Sequence, residues 1–342
     1  MVKYPLERKC NFMSNSKSYK DKKRKKSKTF KIIIAVICTL IILLGFIGGY
    51  VIGLINKVDK VEIDTDNLGI DTEKITEEYK DAEKIINVAL FGIDATDGSV
   101  GRSDATMVAT LDPIHDKLKL TSFMRDSYVY IDGHGQDKLN HAYAFGGPEL
   151  AIKTLNENFG LNIEDFITVN FSSLPIIIDK LDGVDIEITN EELNYINSYI
   201  SDINSKDGTS SPGIYSAGVQ HLNGVQALAY SRIRYTAGGD YKRTERQRTV
   251  LNALFKKISS TSPASFNSLL NEILPLVQTS LSSTEILSMG TKVLSIGNNL
   301  EQDRFPRDEY AQGAMIDGVS YITFDIETTR EQVRNYIFND IK

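Results

Sequence analysis

Tryptophan is absent from this chain of 342 residues, and cysteine and histidine are sparse, with two and four copies. The missing tryptophan decides nothing, because sixteen tyrosines and fourteen phenylalanines are present. The cysteines decide more. Cys10 and Cys38 both lie near the N-terminus, so no disulfide framework can form in the rest of the chain. His115, His134, His141 and His221 are dispersed without metal-ligand spacing and read as loop or capping residues. No P-loop, GxGxxG, HExxH or CxxC pattern occurs. The chain therefore announces no P-loop phosphate cradle, dinucleotide fingerprint, zinc-peptidase helix or dithiol redox motif. No GxSxG elbow marks a nucleophile either, although a Ser-His-Asp triad is left open.

Positive charge is scarce outside one end. Residues 1–31 hold twelve Lys and Arg against Glu7 and Asp21, whereas from Ile32 onward 27 basic residues face 43 acidic ones, a formal −16. The run Lys20–Lys28 (KDKKRKKSK) has the composition of a nucleic-acid patch, but its position favours lipid headgroups. Ile32–Ile55 follows at once, twenty-four residues without a charge. As a helix at about 1.5 Å per residue it would span roughly 36 Å, enough for a bilayer core with some tilt. The positive-inside rule then puts the N-terminus in the cytoplasm and everything after Lys57 outside. A cleaved signal peptide would have a shorter apolar core, about 7–15 residues, and a small-x-small cleavage site. The expected organisation is a basic cytoplasmic arm at 1–31, a single transmembrane anchor at 32–55, a stalk at 56–84 and an extracytoplasmic domain at 85–342.

Within that domain the pattern alternates. Ile85–Ile93 is an apolar run of strand length, followed by a polar loop to Gly101. Thr106–Leu111 and Lys117–Met124 read as strands joined by a turn through Asp112–Asp116. Pro148–Phe159 predicts a helix stopped by Gly160. Ile167–Phe171 is strand-like, Ser172–Leu181 a short helix ended by Asp182 and Gly183, and Val184–Ile188 another strand. Glu191–Gly218 is rich in Asn, Ser and Gly and is expected to be a long surface excursion. Helices are expected at Val219–Tyr230 and Arg243–Ile258, two or three more within 261–297, and a last one at Thr328–Phe338 after a strand at Val319–Asp325. This order predicts an α/β domain with a mixed central β-sheet.

Against the acidic background, Leu228–Val250 (LAYSRIRYTAGGDYKRTERQRTV) holds five arginines: Arg232, Arg234, Arg243, Arg246 and Arg248. Arg232 and Arg234 are two apart and share a face if extended, with Ile233 on the other. Gly238 and Gly239 break the chain, and a helix starting near Asp240 puts Arg243, Arg246 and Gln247 on one face. Two such sets joined by a glycine turn suit a phosphate, since the guanidinium fork donates two parallel hydrogen bonds and stays charged. A solvated helix face plus a salt-bridged strand explains the same residues equally well. Asp94 ends one strand and Asp104 starts the next, so both carboxylates can meet at one sheet edge. Two hard oxygen ligands of this kind suit Mg²⁺, with turn capping as the plain alternative. Arg125-Asp126 follows a strand directly, and Lys138 to Gly147 mixes a cation, amides and glycines ahead of a helix start, a place suited to an anion.

Seven motifs in order carry a resemblance to the LytR-CpsA-Psr family of bacterial envelope proteins. They are FGID at 91–94, GRSDATMVATLDP at 101–113, SFMRDSYV at 122–129, DKLNHAYAFGGPELA at 137–151, LDGVDIEI at 181–188, GVQHLNGVQALAYSRIRY at 218–235 and GGDYKRTERQR at 238–248. They cover a core of roughly residues 88–255, about half the chain. The resemblance implies a mixed sheet with helices on both faces and an apolar tunnel for lipid. It implies a membrane-anchored phosphotransferase that moves a glycopolymer, such as teichoic acid or capsular polysaccharide, from a polyprenyl-pyrophosphate carrier onto a peptidoglycan hydroxyl. By the same token Asp94 and Asp104 bind Mg²⁺, and Arg102, Arg125, Lys138, Arg232, Arg234, Arg243 and Gln247 surround the pyrophosphate. Arg125, Asp126, Arg232, Arg234 and Asp240 form the expected catalytic set, with Asp126 and Asp240 the candidates for general base. One departure stands out: many relatives carry an arginine soon after the first aspartate, where this chain has Ala95-Thr96-Asp97-Gly98. A lipid-pyrophosphate hydrolase using the same site and a non-enzymatic wall-glycan binder are the competing readings. No nucleic-acid partner is expected.

Overall fold

Seven strands build the central sheet of a computed structural model that describes residues 59–94, 101–260, 269, 271–296 and 300–342. The expected arm and anchor, and the Ala95–Gly98 departure, lie outside the described residues. Among the described residues no helix is long and apolar enough to cross a membrane.

In chain order the first elements are β1 (Asp59–Lys60), α1 (Thr72–Glu78), β2 (Ile86–Ile93), β3 (Ser103–Asp112) and β4 (Lys117–Phe123). A short hairpin, β5 (Tyr128–Ile131) and β6 (Gly135–Lys138), leads into the long helix α2 (Leu139–Phe159). Then come β7 (Asp165–Asn170), α3 (Leu174–Lys180), β8 (Val184–Ile188), α4 (Asn190–Asp207), β9 (Gly218–Leu222), α5 (Gly224–Arg232) and α6 (Gly239–Ser259). The C-terminal part holds β10 (Val277–Thr279), α7 (Ser283–Ile296), β11 (Leu300–Phe305), β12 (Ala311–Ile316), β13 (Val319–Phe324) and α8 (Ile326–Phe338).

The sheet runs β1-β10-β7-β2-β3-β4-β11. β2, β3 and β4 form an antiparallel meander, while β7 lies parallel to β2 and β11 parallel to β4. The sheet is therefore mixed, as the alternating pattern predicts. Its alternation serves two cores. Phe166 of β7 packs in a core with Ala89 and Phe91 of β2, Leu155 and Phe159 of α2, and Tyr336 of α8. Val169, three residues further on and so on the opposite face, packs on a second core with Ile178 of α3, Ile196 and Ile200 of α4, Leu228 of α5 and Val250 of α6. Helices thus cover both faces.

Three differences from the sequence reading have physical causes. The segment expected as a stalk is packed into the domain where it is described: Leu68, Ile75, Tyr79 and Ala82 are all buried in the first core. Its apolar residues are few, but they join the core that α2, α8 and the sheet share. The expected excursion at Glu191–Gly218 contains α4, opened by a capping box in which Thr189 and Glu192 satisfy each other's backbone N–H groups. Ile196, Ile200 and Ile203 form its buried stripe. Val219–Tyr230 divides into β9 and α5, because a second capping box, Asn223 with Gln226, starts the helix later. Gly224 at that start tolerates no side chain: a Cβ there would sit 2.0 Å from the Pro175 carbonyl oxygen.

The meander decides where the chemistry gathers. Ile93 pairs with Ser103 and with Asn170, and Thr106 pairs with Phe123. The end of β2, the start of β3, the end of β4 and the end of β7 therefore share one sheet edge, and they deliver Asp94, Asp104, Arg125 and Phe171 to it.

Candidate active site

A cleft of about 380 Å³ opens at that edge. Asp104, Phe171, Arg232, Arg234, Tyr235, Arg243 and Gln247 line it, together with Ser198, Tyr199 and Asp202 of α4. Of the two sets anticipated around the glycine turn, Arg232, Arg234, Arg243 and Gln247 all line the cleft and only Arg246 does not. Arg232 and Arg234 both face the cleft, although Arg232 is the last residue of α5 rather than part of a strand, and Ile233 between them is fully buried. Gly238 and Gly239, both with positive φ, turn the chain into α6, and Asp240 sits in the first turn, where a carboxylate complements the helix dipole.

Arg246 does something else. Its guanidinium is buried and donates to Glu192 Oε1 at 2.7 Å, to the Ile233 carbonyl at 3.1 Å and to Thr236 Oγ1 at 2.7 Å. It ties the arginine loop to the start of α4. Two more bonds help: Ala237 N–H donates to Glu191 Oε1 at 2.8 Å and Arg234 N–H to Tyr199 Oη at 3.3 Å. The helix missed in the sequence is thus what holds Arg232 and Arg234 in place. The capping box and the isoleucine stripe were the signals that could have found it.

The remaining site residues form one chain of ion pairs. Arg125 donates to Asp104 Oδ1 at 2.7 Å and lies 3.3 Å from Asp126 and 3.4 Å from Asp240. Lys138 Nζ reaches Asp126 at 2.8 Å. Asp240 also faces Arg243 at 3.4 Å and Arg234 at 3.9 Å. Burial would lower the Arg125 guanidinium, but Asp126, Asp104 and Asp240 hold it above its ordinary value. Burial would raise the Asp126 carboxyl, yet Lys138 and Arg125 keep it below the usual carboxylate range, and a hydrogen bond shared with Asp240 adds to this. Asp126 is therefore an ionised acceptor at neutral pH. Arg102 is exposed at the start of β3 and is not among the described residues lining the cleft.

Arg243 is the least satisfied member. Its side chain is only 4% exposed, its contacts to Asp240 are long at 3.4 and 3.5 Å, and its Nε is buried without a hydrogen-bond partner. Burial first, and Arg125 beside it second, pull its pKa down to about 10. A buried, under-satisfied guanidinium in a cleft wall is costly unless an anion completes it.

Asp94 follows the last residue of β2, and Asp104 lies at the register shift between Ser103, which pairs with Ile93, and Ala105, which pairs with Gly92; each meets an arginine, Asp104 reaching Arg125 at 2.7 Å and Asp94 reaching Arg232 at 3.5 Å. Among the described residues no third Asp, Glu, His or Cys joins them as a metal-ligand group. Two carboxylates suit Mg²⁺, which keeps several waters and takes phosphate oxygens. The cleft's apolar part is one aromatic wall, with Phe171 under Arg232 at 5.9 Å and Tyr199 and Tyr235 beside it.

Fold and site together define a mixed α/β protein with a cationic cleft at a sheet edge, built from arginines and carboxylates on β2–β4, α5 and α6. Comparison with known proteins is specific. The chain belongs to the LytR_cpsA_psr family, whose model matches residues 53–336. It is 33% identical over 315 residues to the polyisoprenyl-teichoic acid–peptidoglycan teichoic acid transferase TagU of Enterococcus faecalis, covering 90% of this chain and 96% of that one. It is similar to the solved structure of TagT bound to LI-WTA, with a TM-score of 0.61 and 27% identity over 76% of this chain and 92% of the other. It is also similar to the family protein YwtF (TagT) with bound octaprenyl pyrophosphate lipid, with a TM-score of 0.57 and 25% identity over 75% of this chain and 90% of the other.

Proposed function

We propose that this protein transfers a glycopolymer from a polyprenyl-pyrophosphate carrier to a peptidoglycan hydroxyl. The observation that carries the reading is Arg243, buried and incompletely paired in a cleft that Arg232 and Arg234 also face. A pyrophosphate between lipid and sugar brings the negative charge that completes Arg243. The relatives' names add the substrate class: TagU is a teichoic acid transferase, and a TagT structure holds octaprenyl pyrophosphate.

The chemistry follows from fixed charge. The acceptor hydroxyl attacks the sugar-side phosphorus, its bond to phosphorus forms as the bridging P–O bond breaks, and polyprenyl phosphate leaves. Arg232, Arg234 and Arg243 bind the charge that grows on the leaving phosphate, and Arg125 holds the phosphoryl oxygens from the β4 side. The Asp126–Asp240 pair beside Arg125 is placed to accept the hydroxyl proton. Asp94 and Asp104 would hold Mg²⁺, which when bound supplies further charge neutralisation on phosphoryl oxygens.

The test is incubation of the detergent-purified full chain with a lipid-pyrophosphate-linked oligosaccharide and uncrosslinked glycan strands. A covalent glycan–phosphate–sugar product is the expected result. Release of soluble sugar phosphate alone, with or without acceptor, would make the protein a hydrolase. The metal is tested in the same assay. The Asp94→Asn/Asp104→Asn variant should fold and lose turnover, as wild type should in EDTA. Undiminished transfer in EDTA would remove Mg²⁺ from the reading.

A peptidoglycan acceptor requires the domain to lie outside the cell membrane, with residues 32–55 as its anchor and the basic arm inside. A reporter fused after Lys342 should be active only on the outer side; activity in the cytoplasm would overturn both the anchor and the acceptor.

A further inference from the structure

One half-buried surface, open at His134 and Phe145, runs directly off the catalytic ion pairs, and its residues are not among those lining the cleft. Lys138, bonded to Asp126 at 2.8 Å, lies 5.6 Å from the centre of the Tyr321 ring. Tyr321 meets Tyr128 edge-on at 4.8 Å. Its hydroxyl reaches Asp137 Oδ1 at 3.3 Å, and Asp137 Oδ2 lies 2.8 Å from His141 Nδ1. His141 meets Phe145 edge-on at 5.8 Å, and Phe145 stacks on His134 at 4.2 Å with the rings 10° from parallel. Phe145 is nevertheless 46% exposed. The result is a continuous aromatic ledge on the β5–β6 hairpin, the first turns of α2 and the edge of β13.

The ledge is fixed to the catalytic segment. Ile322 N–H, next to Tyr321, donates to the Asp126 carbonyl at 2.8 Å, and Ser127 bridges Ile322. Asn140 N–H donates to the Arg125 carbonyl at 3.1 Å. Anything lying on the ledge is therefore held in register with Asp126.

We propose that this ledge is the acceptor subsite, and that its ligand is the uncharged sugar backbone of a glycan strand. The inference rests on the transferase reading above and deepens it. Charge argues for a neutral ligand. Lys138 is neutralised by Asp126 and His141 faces Asp137, so the surface offers ring faces and hydrogen-bonding edges rather than free charge. A pyranose ring has one apolar C–H face that packs on an aromatic ring and a rim of hydroxyls that meets polar tips such as Tyr321 Oη. Phe145 leaves one ring 46% exposed at the end of this row, where a sugar face can pack on it. Geometry argues for the acceptor rather than the donor. Arg125 stands between the two sides, bonded to Asp104 of the cleft and to Asp126 of the ledge. In-line displacement needs the nucleophile opposite the leaving group. With the leaving phosphate among Arg232, Arg234 and Arg243, the hydroxyl arrives from the Asp126 side.

The test uses the full chain in detergent and uncrosslinked glycan strands, with Phe145→Ala and Tyr321→Phe as variants. Phe145 is exposed and Tyr321→Phe keeps the ring, so neither change threatens the fold. Equilibrium binding of the strands should weaken at least fivefold in Phe145→Ala and less in Tyr321→Phe. In the transfer assay Phe145→Ala should raise the acceptor KM by a similar factor and leave the donor KM unchanged. Wild-type affinity in Phe145→Ala, or no strand binding by wild type, would overturn the ledge. Strand binding that depends on Phe145 without any transfer product would keep the ledge and overturn the transferase reading instead.

Discussion

Arg232→Ala and Arg234→Ala should each lower turnover by about a hundredfold or more, a barrier increase on the order of 2–4 kcal/mol, while lipid-pyrophosphate binding falls far less. The asymmetry follows from where charge develops. Both side chains face the cleft, and the backbone that carries them is fixed by bonds to Tyr199 and Arg246 rather than by substrate. They are in place before the reaction, so their largest interaction is with the charge that appears on the leaving phosphate. A protein that only binds wall polymer would lose affinity instead and have no turnover to lose. Steady-state transfer measured beside equilibrium lipid binding separates the two, and equal losses in both would sink the catalytic assignment. Arg246→Ala is the control within the same stretch. It should cost stability, because it leaves the Glu192 carboxylate buried without its partner.

Lys119→Met should destabilise the domain by about 3–5 kcal/mol, the usual cost of removing one member of a buried ion pair. Lys119 and Asp112 have fully buried side chains, 2.7 Å apart across the turn-end of β3 and β4. Lys119 Nζ also donates to the carbonyls of Tyr336 and Ile337 at 3.0 and 3.1 Å, so it fastens α8 to the sheet. Denaturant midpoints at an unchanged slope give the loss. The double variant Lys119→Met/Asp112→Asn should recover part of it, since no unpaired charge then remains. A single variant as stable as wild type would mean that Lys119 contributes packing alone.

The same pair sets a pH dependence. Burial alone would raise the Asp112 carboxyl, but hydrogen bonds from Lys119 and His115 leave it below its ordinary value. A depressed carboxyl binds its proton less readily folded than unfolded. Its stabilisation is therefore complete above the usual carboxylate range and is lost as pH falls through the depressed value. Acid unfolding of wild type should show this contribution, and the double variant should lack it.

Much of the site was legible before any coordinates. An arginine-rich stretch in an acidic domain, a double glycine and two aspartates at strand ends are local patterns, and local patterns survive in one dimension. The arginine-lined cleft and the start of α6 near Asp240 follow from them, as the mixed sheet follows from the alternation of strands and helices. What failed were judgements that depend on partners far away in sequence. Five arginines read alike, yet Arg246 meets Glu192, fifty-four positions earlier, and becomes structural, while Arg243 meets only a distant Asp240 carboxylate and stays available. The α4 segment looked like a loop because its polar face dominates its composition; its three buried isoleucines count only once the second core is there to receive them.

The sequence by itself determined which groups this chain can offer: a cluster of arginines in an acidic domain and aspartates at strand ends. Only the tertiary structure decided which of those groups act together. An antiparallel meander brings the ends of β2 and β4 and the start of β3 to one edge whatever lies between them in the chain, and long-range pairing is what places Asp94, Asp104 and Arg125 within reach of α5 and α6. The aromatic ledge is the plainest case. Tyr128 and Tyr321 are separated by most of the domain in sequence, and they touch because β13 returns to bond the Asp126 carbonyl.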